Sequence, residues 1–199
     1  MRIILIFLLA SAASMAQQTT SISIGMSPYG VPKDIRRDPW QKPDVVINSL
    51  KFSPAETVAV VETGYPYFAQ RVAPLVKAVY AVNSDPRAFQ GPGKLPPTIK
   101  TVLSTSTDPH LPNMGVDTVI LVEVLRLVPQ RLLFYISLLS ELKPRGRLVI
   151  IDRNLPQVVP STERLTDAQL QSELALVGFK VVQRVTDLQF QYFLVFQRL

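Results

Sequence analysis

The chain has 199 residues, 47% of them apolar, enough for one sizeable core and too few for two ordinary domains. It has no cysteine, which excludes disulfide staples, thiolate metal sites and a cysteine nucleophile. The net charge of +6 is spread along the chain, and its densest group, Lys33, Arg36 and Arg37, lacks the interleaved aromatics of a single-strand groove, so no nucleic-acid partner is expected.

Residues 1–16 read as a cleavable export signal. Met1 and Arg2 are followed by the apolar run "IILIFLLASAA" and a small-residue cleavage site, "SMA", ending at Ala16. The run is shorter than the ~20 residues that cross a bilayer, so no stable membrane anchor is expected after cleavage. The mature chain is then exported, to a periplasm or the medium. Residues 17–39, rich in Gln, Thr, Ser, Pro and Gly, read as a flexible linker. "KPDVVINSLKF" predicts a short helix with proline at an early position and Val45, Val46, Leu50 and Phe52 on its apolar side.

From there strands and helices alternate. "TVAVVE" is β-branched and almost continuously apolar, as in a strand buried on both faces of a parallel sheet. "PYFAQRVAPLV" returns to helical spacing, with Phe68, Val72 and Leu75 on one side. "KAVYAVNSD", "IKTVLSTST" and "VDTVILVEVL" are the next strands, and the prolines and glycines of "RAFQGPGKLPPT" exclude a normal helix between the first two. "PQRLLFYISLLSELK" is an apolar helix whose "LLFYISLL" reads as core, followed by the strand "GRLVIIDR". "TDAQLQSELALVG" is a helix capped by Thr166 or Asp167 and stopped by Gly178, and the tail predicts two strands joined near Asp187. The expected fold from residue 40 to 199 is a doubly wound α/β domain, mainly parallel and Rossmann-like, with an antiparallel C-terminal hairpin. Ligands of such sheets bind beyond the carboxyl ends of the strands, where the winding reverses.

"TVAVVETGYPYFAQ" with "AVYAVNSDP", "DPHLPNMGVDTVILVEVL", "LLSELKPRGRLVIIDRN" and the closing hairpin together resemble the class I S-adenosylmethionine-dependent methyltransferases, from about Trp40 to Arg198. The resemblance implies S-adenosylmethionine as cofactor, held by Glu62, Gly64, Tyr65, Asn83 and Asp108, and methyl transfer to an unidentified acceptor. That chemistry rests on positioning, and no catalytic residue is singled out. The motif is altered: Pro66 stands where the family has a second glycine, and Asn83 where it has a carboxylate on the ribose. An amide there is neutral, so affinity is expected to be low, and Pro66→Gly with Asn83→Asp is expected to restore it. His110, the lone histidine, is a candidate base, and Glu123 and Arg126 occupy positions that hold substrate in some relatives. The altered motif and the export signal also fit an inactive relative acting as a binding or scaffold protein, with a small molecule or a protein as partner.

Overall fold

The computed structural model describes residues 36–91, 93–155 and 164–199; the expected export signal and most of the linker lie outside them. Seven strands form one sheet: β1 (Thr57–Glu62), β2 (Ala78–Asn83), β3 (Ile99–Leu103), β4 (Val116–Val122), β5 (Leu142–Arg153), β6 (Phe179–Val185) and β7 (Gln191–Arg198). Their order is β3-β2-β1-β4-β5-β7-β6, and the first five pair parallel. β7 lies antiparallel to both β5 and β6, which is the expected terminal hairpin. The central strands carry apolar side chains on both faces because both faces are covered.

On one face Val58, Val60, Val79, Ile120, Val149 and Phe193 pack with helices α2 (Pro43–Leu50) and α3 (Tyr67–Val72), through Val46, Leu50, Phe68 and Val72. On the other, Ala59, Val119, Leu121, Leu148, Ile150 and Leu194 pack with α4 (Arg131–Glu141) and α5 (Asp167–Leu176), through Phe134, Tyr135, Leu138, Leu170 and Leu174. Thr166 is the cap of α5, in a reciprocal capping box with Gln169. Gly178, at φ +88°, turns the chain into β6.

Four local expectations are corrected. Leu75 is exposed, because α3 ends at Val72 and the tighter turn Ala73–Leu75 rotates it off the buried side. The "LLFYISLL" run is only half core: Phe134, Tyr135 and Leu138 are buried, but Leu132, Leu133 and Ile136 face outward. β5 begins directly after α4, at Leu142, four residues before the expected glycine. The end of the linker is ordered as a short helix α1 (Asp38–Gln41), with Trp40 and Gln41 buried, so the fold begins before residue 40.

Candidate functional site at the strand ends

The sheet reverses its winding between β1 and β4, and a cavity of about 140 Å³ lies beyond the carboxyl ends of β1 to β4. Hydroxyls surround it, from Thr63, Ser84, Ser104, Thr105 and Ser106 in the loops after β1, β2 and β3. Val61, Val124, Leu127, Val128 and Phe134 supply its apolar wall. Two of the expected cofactor residues, Glu62 and Asn83, line it.

Glu62 is buried and turned inward. Its carboxylate accepts the backbone N–H groups of Phe68 (2.9 Å) and Ala69 (3.1 Å), capping the first turn of α3, and pairs with the Arg37 guanidinium at 3.2 Å. Burial pushes its pKa up, against the opposing effects of Arg37 and the two backbone donors. Arg37 also donates to Gln41 and lies over the Tyr67 ring, 4.1 Å from its centroid. Asp38 binds Tyr67 and Arg71, and Arg153 lies over Trp40. α1 is thereby fastened to the ends of β1, α3 and β5.

Gly64, at φ +71°, supplies the left-handed turn after β1, and no atom lies within 4 Å of where a side chain would begin. Pro66 (φ −59°) leads into α3 within its natural range. Tyr65 lays its ring on Gly91, where a Cβ would stand 2.0 Å from ring carbons, and its hydroxyl donates to Gly93 O at 3.3 Å. The tyrosine thus pins the loop that replaces a crossover helix.

Asn83 is nearly closed off from solvent, and its amide makes three internal bonds. Nδ2 donates to the carbonyls of Glu62 (2.6 Å) and Gly64 (3.2 Å), while Oδ1 accepts from the Asp85 N–H (2.9 Å). Two carbonyls on one side and one N–H on the other fix the amide orientation. A carboxylate could not make the first two bonds. Asp85 itself pairs with Arg87 through both oxygens.

Asp108, expected at the cofactor, is not among the cavity's walls. Its Oδ1 accepts the His110 N–H at 2.6 Å, and its carboxylate faces Ser137 and Glu141 of α4. Glu141 accepts from Leu111 N at 2.7 Å, and burial, with Asp108 alongside, pushes its pKa up to about 8. Through the Leu111 N–H, Glu141 holds the loop 104–115 against α4. His110 sets its Nδ1 2.8 Å from Leu103 O and also lies off the cavity. Glu123 accepts from Arg153 (3.0 Å) and Gln191 (2.8 Å), and Arg126 donates to the buried Asp152 at 3.3 Å. Sequence reasoning missed the five hydroxyl residues and Phe134. The serines and threonines after each strand were the available signal, and only the sheet order brings those loops together.

No protein-family model matches the chain, and no curated protein matches it. Among solved structures it is similar to a SAM-dependent methyltransferase from Aquifex aeolicus, at 20% identity and TM-score 0.70, over 83% of this chain and 94% of that one. It is similar at TM-score 0.66 and 12% identity to the [4+2]-cyclase SpnF, over 79% of this chain and 80% of that one. A possible exported protein from Bordetella parapertussis aligns at 15% identity and TM-score 0.62, over 79% of this chain and 67% of that one. The fold is that of the class I S-adenosylmethionine-dependent methyltransferases.

Proposed function

We propose that the protein is a non-catalytic binding protein built on the methyltransferase fold, with a strand-end cavity for a ligand smaller than S-adenosylmethionine. The observation that carries this is Asn83: at the end of β2, where the fold would hold the cofactor's ribose, both amide hydrogens and one lone pair of the side chain are taken by bonds within the protein. Glu62 is likewise committed to α3 and Arg37. The cavity, at about 140 Å³, is well below the roughly 300–1,000 Å³ of sites that bury a drug-sized ligand. Its apolar wall and ring of hydroxyls suit a small, uncharged, partly apolar molecule. The fold leaves the activity open, since the similar structures include a [4+2]-cyclase. Export is part of the proposal, supported by the charged start, apolar run and small-residue site of residues 1–16.

An active methyltransferase is the alternative, and one observation favours it: the space above Gly64, which leaves the backbone open to a ligand. Calorimetric titration of the purified chain with S-adenosylmethionine and S-adenosylhomocysteine decides between them. Dissociation constants above about 100 μM, or no heat, are expected, at least about 2.7 kcal/mol weaker than a 1 μM site. Binding at about 1 μM would establish the alternative.

A further inference from the structure

Five large aliphatic side chains on and beside α4 and α5 are exposed. Leu132, Leu133 and Ile136 project from α4, which places them within one turn of each other; Leu176 projects from the end of α5, and Leu127 from the turn before α4. Their exposures are 45%, 50%, 52%, 77% and 68% in that order. Leu132, Leu133 and Leu176 share a groove of about 370 Å³ with Pro129, Gln130 and the Arg131–Glu173 pair. Together the five expose on the order of 500 Å² of aliphatic surface, at the upper end of what a monomer leaves open.

We propose that this face is a two-fold interface with a second copy of the chain. The area matches: a standard interface buries about 800 Å² per partner, and in homodimers about two thirds of that is apolar, again on the order of 500 Å². The charges match as well. A two-fold contact brings each patch against itself, so an unbalanced charge meets its own sign. Here the two charged residues of the groove are already paired, Arg131 Nε and Nη2 donating to Glu173 at 2.8 and 2.5 Å, with Tyr135 adding a third donor at 3.2 Å. The patch offers no field to recruit an acidic or basic partner, and none to repel its own copy. Leu127 also walls the strand-end cavity, so the second copy covers the rim of that site.

The test is sedimentation equilibrium of the purified chain at micromolar concentration, with Leu133→Glu and Leu176→Glu as variants. The parent chain is expected at twice the mass of one copy. Each variant is expected to weaken association by about 100-fold, since the substitution is present on both sides of the axis and each leucine loses its burial. Both positions are exposed in one copy, so the circular dichroism spectrum should not change, while the melting temperature should lose the concentration dependence that dimerisation gives the parent. The absence of native cysteine allows a second arm. Leu133→Cys should cross-link between copies with a short bis-maleimide, and Leu75→Cys, similarly exposed on the opposite layer, should not. A parent chain that remains a monomer at about 50 μM, self-association unaffected by both glutamates, or leucine-dependent binding to phosphatidylcholine vesicles by a monomer would each overturn the proposal.

Discussion

Asn83→Asp separates an amide that anchors a cofactor from an amide that ties two loops together. In the native chain Nδ2 supplies hydrogens to two carbonyls, Glu62 O at 2.6 Å and Gly64 O at 3.2 Å. A carboxylate has no hydrogen to give, so both carbonyls would face an anionic oxygen in a site only 8% exposed. Leaving a buried acceptor unmet costs about 1–3 kcal/mol, and the introduced charge adds to it, so a loss of about 3 kcal/mol is expected near pH 7. For a chain of this size that is a fall of roughly 6–12 °C in melting temperature. The carbonyls favour the protonated carboxyl, which can donate one bond. The variant's folded-state pKa is therefore raised, and its deficit should shrink as pH falls toward about 4 and grow as pH rises. Thermal melts of both proteins at the two pH values, with cofactor calorimetry on the variant, are the assay. An unchanged melting temperature near pH 7, or a gain in S-adenosylmethionine affinity, would refute the reasoning and return Asn83 to the role of a weakened ribose acceptor.

Two further substitutions follow from the same geometry. Pro66→Gly should not restore a cofactor loop: φ at Pro66 is −59°, natural for proline, so the change should cost about 0.4–1 kcal/mol through the unfolded chain, and a stabilised variant would show the proline to be strained. Glu141, with a pKa raised to about 8 by burial and Asp108, makes stability greatest below its unfolded value near 4.5 and lost as pH rises through about 8. Urea melts of the parent chain should therefore weaken between about pH 5 and 8, by at most about 1.4 kcal/mol per unit from this group. Glu141→Gln should flatten but not abolish the slope, because Glu62 and Asp152 are also raised by burial and act in the same direction. An unaltered slope would exclude Glu141 as a source.

The sheet was legible in the sequence because its strands are chemically unambiguous. "TVAVVE", "AVYAVN" and "DTVILV" are rich in β-branched residues and almost continuously apolar inside, the pattern of a strand covered on both faces. The reduced crossover was legible for the opposite reason, since Pro92, Pro96 and Pro97 cannot all sit in a helix. α1 was not legible: four residues hold barely one helical turn, and its place is set by Arg37 reaching Glu62 and by Arg153 over Trp40, contacts 25 and 113 residues apart in the chain. Leu132, Leu133 and Ile136 were read as core because apolar periodicity marks a face that avoids water without saying what covers it.

The candidate site divides along the same physical line. That ligands would lie beyond β1 and β2 followed from topology, and the cavity is there. The roles of single residues did not follow, because alignment to a motif compares residue types, whereas binding depends on which lone pairs and hydrogens remain uncommitted. Glu62 and Asn83 occupy the expected positions, yet their polar atoms are engaged by Phe68, Ala69 and Arg37 for one, and by Glu62 O, Gly64 O and Asp85 N for the other. Asparagine at the end of β2 has a cause in the folded chain. Its amide holds the first loop, and only an amide, with hydrogens on one atom and lone pairs on the other, can bridge two carbonyls and an N–H at once.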